Sequence, residues 1–216
     1  MQTSSEITAR VREHFRKQAF SFDHLYDEEN ALQKLIRPGL FRRREFALAV
    51  AREYEAPAVL DVGCGSARIG ELALEQGAAR YVGIDLSDTM LELARARLES
   101  FSDRTELVQD DFVNADISGA FDVVLALGLF DYLPDPKPFV EQMYTLSADG
   151  GSTVGSFPRW HWLKGPVRKV RYEVINNCPI FDYTPEGVRS LFAGAGFSRI
   201  EVHAPGNAGF LVRAVR

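Results

Sequence analysis

Three short stretches of this chain join glycines or aromatics to carboxylates in patterns suited to holding a nucleoside. In Asp61-Val-Gly-Cys-Gly-Ser-Ala67, glycines at 63 and 65 let the backbone turn sharply and approach a ligand that a Cβ would hold off. A helix starting just beyond would aim free N–H groups and its positive dipole end at the same spot. A nicotinamide or flavin fingerprint would want a third glycine three residues after Gly65, and that position is Arg68. Asp85 follows the loop by about 20 residues, a spacing that sets a carboxylate beside ribose hydroxyls and against a 2′-phosphate. Asp110-Asp-Phe112 supplies Asp111 to accept from an adenine amino group and Phe112 to pack on the ring. Each stretch also has a plain structural reading: a tight turn, a helix cap shared with Ser87, a solvated bend. Their conjunction at three successive strand ends points to one ligand.

A base, if the chemistry needs one, is expected near the ends of the fourth and fifth strands. Asp131, Tyr132 and His161 are the candidates there. Asp131 and Tyr132 could instead simply open the next helix, and His161, between Trp160 and Trp162, could be packing or surface. The stretch Arg159–Arg171 carries five Lys/Arg and no Asp or Glu. Such a patch could guide an anionic acceptor, rest on a membrane surface through its tryptophans, or be a solvated helix face. Tyr26 and Tyr183 are further candidates for lining the pocket.

The elements that must position these groups alternate between short β-branched runs and helical patterns. Strands are expected at Ala58–Val62, Tyr81–Leu86, Glu106–Gln109, Phe121–Leu127 and Ser152–Phe157, the last after an Asp149-Gly-Gly turn. Ser87 and Thr184 read as helix N-caps, and Pro138–Leu146 carries a helical pattern. Helices between strands imply a parallel sheet covered on both faces. The final runs, Arg199–His203 and Phe210–Val215, are joined by too few residues for a parallel crossover, so this pair must be antiparallel. The fold expected is α/β, doubly wound and seven-stranded, mostly parallel with the last strand antiparallel, plus N-terminal helices. Residues 1–50 read as a helical cover and 158–183 as an insert or lid on a single domain spanning 1–216.

The 216 residues suffice for a full core without disulfide or metal support, and 46% apolar with 25% charged residues is ordinary for a globular protein. A net charge of −5 argues against nonspecific nucleic-acid binding, and no run approaches the roughly 20 apolar residues of a membrane span. Cys64 and Cys178 share no metal or redox spacing. With no apolar signal core in the opening residues, a reducing, cytoplasmic home is expected.

Taken together, residues 56–216 resemble the class I S-adenosylmethionine-dependent methyltransferases, a Rossmann-like family. Val59–Gly65 is similar to the family's first motif, which holds the methionine part of the cofactor, and Gly83–Ser87 to its second, with Asp85 on the ribose. Gln109–Phe112 resembles the adenine-binding turn and Phe121–Leu127 the strand beside the transferred methyl group. The resemblance implies S-adenosyl-L-methionine held by Asp61, Gly63, Gly65, Asp85, Leu86, Asp110, Asp111, Phe112 and Leu127, with no metal. It departs at Ala67, where the family often has glycine. The implied activity is methyl transfer to a small-molecule acceptor, anionic or lipophilic, at oxygen rather than nitrogen or carbon, with no nucleic-acid partner. A non-catalytic sensor of the same cofactor and an aminopropyltransferase are the alternatives; a reductase is disfavoured by Arg68.

Overall fold

A computed structural model describes residues 4–24, 38–159, 165–175, 178–204 and 209–216. Among the described residues two helices come first, α1 (Ser4–His24) and α2 (Pro38–Ala51). There follow β1 (Ala58–Val62), α3 (Arg68–Glu75), β2 (Arg80–Asp85), α4 (Asp88–Arg97), β3 (Thr105–Gln109), β4 (Phe121–Ala126), α5 (Lys137–Leu146) and β5 (Ser147–Pro158). A short helix α6 (Gly165–Lys169) runs into a single wide turn at Val170–Ile175, before α7 (Pro185–Ala195), β6 (Arg199–His203) and β7 (Gly209–Val215). The seven strands lie in the order β3-β2-β1-β4-β5-β7-β6. β1 to β5 pair in parallel, and β7 is antiparallel to both its neighbours, as the short β6–β7 connection requires.

Local chemistry explains where the elements begin. Ser87 sits in extended conformation before α4 and accepts from Met90 N, and Thr184 does the same for Gly187 N at the start of α7. Gly196, left-handed at φ 111°, ends α7. β5 departs from expectation by starting at Ser147 rather than Ser152, so Asp149-Gly-Gly lies within the strand. Phe121 pairs with Ser147 and Val123 with Ser152, and the register shift between them absorbs the extra residues. At Gly151 a Cβ would lie 2.9 Å from the Ala148 carbonyl oxygen and 3.0 Å from that of Phe121, which explains the glycine.

Burial separates the two faces of the sheet. Phe121, Val140, Met143, Phe157, Val188, Phe192 and Phe210 pack α5 and α7 on one side. Leu48, Val59, Leu74, Tyr81, Ala94 and Val123 pack α2, α3 and α4 on the other. A third cluster joins Ile7 and Val11 of α1 to Tyr132, Cys178 and Ile180. Because β1 to β4 are parallel, all their carboxyl ends open on one edge of the sheet, where α1 and α2 also arrive. Among the described residues no helix is long and apolar enough to cross a membrane.

Candidate active site

At that edge lies a cavity of about 1250 Å³, lined from β1 by Asp61, Gly63 and Gly65, from β2 by Asp85 and Leu86, and beyond β3 by Asp110, Asp111 and Phe112. Leu127, Asp131 and Tyr132 line it beyond β4. Ligand sites commonly measure about 300–1,000 Å³, so this space suits two ligands side by side.

The glycine loop is held open by its backbone. Gly63, Gly65 and Ala67 take left-handed conformations at φ 72°, 54° and 56°. Gly63 N and Cys64 N both donate to the Ile84 carbonyl, at 2.8 and 3.1 Å. A Cβ on Gly65 would meet only the Met90 sulfur, at 3.9 Å, so the missing side chain leaves room on the cavity side. Ala67 adopts the conformation that a glycine would find easiest, and its methyl group is fully buried among the residues under α3. Burial of that methyl group offsets some of the cost of left-handed backbone, about 1–2 kcal/mol.

Asp85 ties the loop to the next helix. Its Oδ2 accepts from Gly65 N and its Oδ1 from Ser87 N, both at 2.9 Å. Each carboxylate oxygen can accept twice, so acceptor capacity remains for a hydroxyl in the cavity. Burial pushes the Asp85 carboxyl up, and the backbone donors Ser87, Gly65 and Leu86 oppose it. Asp61 is buried with Tyr81 Oη donating to its Oδ2 at 3.0 Å. Burial raises it to about 7, against the Tyr81 hydrogen bond and with the help of the Asp85 charge. In the adenine-type turn, Asp111 N donates to Asp110 Oδ1 at 2.7 Å. Phe112 is buried against Phe139 in the core, so it anchors this turn from beneath as well as bordering the cavity.

The candidate bases fare unequally. Asp131 is bound to Arg168 of α6, whose other nitrogen reaches Asp182 Oδ1 at 3.1 Å. Burial pushes the Asp131 carboxyl up while Arg168 and Arg43 pull it down. Tyr132 is buried among His14, Phe15 and Tyr172, and burial drives its hydroxyl well above the ordinary range. His161, Trp160, Trp162 and Tyr26 lie outside the described residues. Tyr183 does not line the cavity: its ring packs on Phe130 and Phe157, and its hydroxyl donates to the Leu133 carbonyl at 2.7 Å. Of the basic stretch, Arg168 and Arg171 reach the cavity, whereas Lys169 pairs with Glu173.

Several lining groups carry no local signal in the sequence. Val11, Arg12 and Phe15 of α1 close one side, and Arg12 Nε donates to the Leu86 carbonyl at 2.9 Å. Arg43 of α2 lies against the tip of β4, where a Cβ on Gly128 would come within 3.0 Å of its guanidinium. Phe210 and Leu211 of β7 complete an apolar end of the chamber. The cavity thus has an acidic end on β1 to β3, suited to a cationic nucleoside rich in hydroxyls. Its other end, between β4, α1 and the 165–175 segment, is aromatic and basic.

Residues 60–153 match the family model described as a methyltransferase domain. A ubiquinone biosynthesis O-methyltransferase of Leptothrix cholodnii is 33% identical over 108 residues, covering 47% of this chain and 46% of that protein. Its counterpart in Azotobacter vinelandii is 32% identical over 111 residues, 49% of this chain and 47% of that protein. The chain thus spans about half the length of the curated relatives it matches. Magnesium protoporphyrin IX methyltransferase from Synechocystis PCC 6803, solved with bound SAH, superposes with a TM-score of 0.75 at 20% identity, over 95% of this chain and 97% of that one. A 1,6-didemethyltoxoflavin-N1-methyltransferase of Burkholderia thailandensis gives 0.71 at 17% identity, over 100% and 91%.

Proposed function

We propose that this chain, similar over its methyltransferase domain to the class I S-adenosylmethionine-dependent methyltransferases, methylates a small, anionic and partly apolar molecule at an oxygen atom. The observation that carries the reading is the single cavity into which the β1 loop, Asp85, Asp111 and the β4 tip all open. Asp61 and the left-handed loop would hold the methionine part of the cofactor, Asp85 the ribose and Asp111 the adenine. Bound there, S-adenosylmethionine would supply an activated methyl group on a sulfonium, a donor that asks the protein for alignment rather than covalent help.

The protein's own share is to hold the acceptor in line and keep water out. Phe15, Tyr132, Leu211 and Phe210 offer an apolar chamber beyond the β4 tip, with α1, α2 and residues 165–175 as its cover. Arg171, exposed at the cavity wall and without an ion-pair partner among the described residues, would meet an acidic group on the acceptor. Val167 and Val170, at 70% and 55% exposed, border the same segment and suit a lipophilic acceptor arriving there. Asp131, which lines the cavity, would take a proton from an attacking hydroxyl once Arg168 is displaced. Oxygen is favoured by the curated relatives, which carry O-methyltransferase names.

The test is to incubate the protein with labelled S-adenosylmethionine and panels of phenols, quinols, carboxylic acids and amines. Release of S-adenosylhomocysteine with an oxygen acceptor is the expected result. Tight cofactor binding without turnover on any panel would favour a sensor, and turnover on amines alone would overturn the oxygen assignment.

A further inference from the structure

Behind the cofactor loop stands a residue that no catalytic role absorbs. Tyr81, on β2, is fully buried, and its ring fills the gap between β1, β2 and the first turn of α3. Two glycines make room for it. A Cβ at Gly70 of α3 would lie 2.3 Å from the ring's Cζ, and one at Gly83 would lie 3.1 Å from Cε1 and 2.9 Å from Cys64 Sγ. The ring is therefore fixed on two sides, and its hydroxyl ends 3.0 Å from Oδ2 of Asp61. Asp61 is buried yet lines the cavity, and the tyrosine engages only one of its two oxygens.

We infer that Tyr81 is a positioning residue for the cofactor site: its hydroxyl fixes the Asp61 carboxylate so that the second oxygen receives the cationic amino group of the bound methionine moiety. The inference rests on the S-adenosylmethionine reading above. Among the described residues, the charged and titratable groups facing Asp61 are few. Cys64 comes from the loop, Tyr81 and Asp85 from β2, while the register partners Gly83 and Leu125 on β2 and β4 add no charge. None of these is a cation, so burial and the Asp85 charge favour a protonated Asp61 in the unliganded protein near neutral pH, against the single hydrogen bond from Tyr81. An ammonium arriving with the cofactor reverses the balance, and Asp61 then releases its proton. Binding strengthens as pH rises to about 7, where Asp61 titrates, and levels off above it.

Tyr81→Phe keeps the ring beneath Gly70 and removes only the donor, and Asp61→Asn keeps a partner for the tyrosine while removing the proton. Two measurements separate the claims. In the unliganded proteins, carboxyl NMR of ¹³C-labelled aspartate is expected to show Asp61 titrating at higher pH in Tyr81→Phe than in wild type, with that resonance missing in Asp61→Asn. In calorimetric titrations with S-adenosylhomocysteine, run in buffers of different ionisation enthalpy, wild type is expected to release protons below about pH 7. Tyr81→Phe should bind about five- to tenfold more weakly, the loss of one buried hydrogen bond, with its proton release extended to higher pH. Asp61→Asn should release none. Unaltered Asp61 titration and unaltered affinity in a folded Tyr81→Phe protein would overturn the positioning role. Wild type that binds no S-adenosylhomocysteine, while its Asp61 titration still responds to Tyr81→Phe, would instead overturn the cofactor reading and the ligand assigned to Asp61 with it.

Discussion

At the scale of single residues, the end of the cavity formed by β1 to β3 was legible because its signals are local. Glycine at 63 and 65, Asp85 at the end of β2 and Asp111 after β3 each announce themselves within a few residues, and parallel strands then bring them together. The residues suggested that Asp85 meets Ser87 at the helix cap, as it does through Ser87 N, but not that it also holds the loop through Gly65 N. Asp85→Ala is therefore expected to weaken cofactor binding at least tenfold, each charge-assisted hydrogen bond contributing ~1.5–3 kcal/mol, and to lower the melting temperature as well. Calorimetry on the folded variant checks the first, and unchanged affinity would refute the ribose assignment. Asp61 carries a second expectation. Its carboxyl titrates at about 7 when folded, against roughly 3.9 for an unfolded chain. Between those values the native state binds the extra proton, so unliganded stability falls as pH rises, by at most about 1.4 kcal/mol per pH unit, and flattens above. Burial raises Asp85 too, which acts in the same sense. Denaturant melts from pH 5 to 8 should show the slope in wild type and a shallower one in Asp61→Asn.

At the scale of elements, the end of the cavity beyond β4 resists reading along the chain because its contacts are distant. Arg168 looked like one of five cations in a basic stretch, yet it is the clip that joins α6 to Asp131 and Asp182, which stand 37 and 14 residues away. Tyr183 looked like a pocket residue because it precedes α7, but the Leu133 carbonyl, 50 residues back, claims its hydroxyl. Strand and helix starts were readable from caps and turns, except that β5 swallows Asp149-Gly-Gly through a shift in register set by its partner β4. Arg168→Gln is expected to free residues 165–175, seen as faster amide exchange there. The acceptor's kcat/KM should drop about tenfold, the loss of an interaction of about 1.4 kcal/mol, with cofactor affinity unmoved. Arg168→Lys should recover little, since an ammonium cannot fork to two carboxylates. Wild-type exchange in Arg168→Gln would mean the segment is held by its packing alone.

For the whole molecule, α1 is the part whose place no local pattern reveals, since its contacts reach Leu86, Tyr132, Cys178 and Ile180 far along the chain. Removing residues 1–37 is expected to leave the sheet and its two faces folded, because neither of the main core clusters draws on α1. Near-ultraviolet dichroism should confirm that. Cofactor affinity should fall only a few-fold, the worth of the lost Arg12–Leu86 hydrogen bond, while acceptor turnover disappears. Retained turnover in the truncated protein would show that the chamber closes without α1. The reversed strand at the far side of the sheet was legible from the brevity of the connection before it, and it has a bearing on how the molecule is made. β7 sits between β5 and β6, so β6 emerges from the ribosome before its neighbour exists, and β5 waits with one flank of N–H and C=O groups bare. The nascent chain must therefore shield that flank from sticking to other chains until β7 is threaded into the slot.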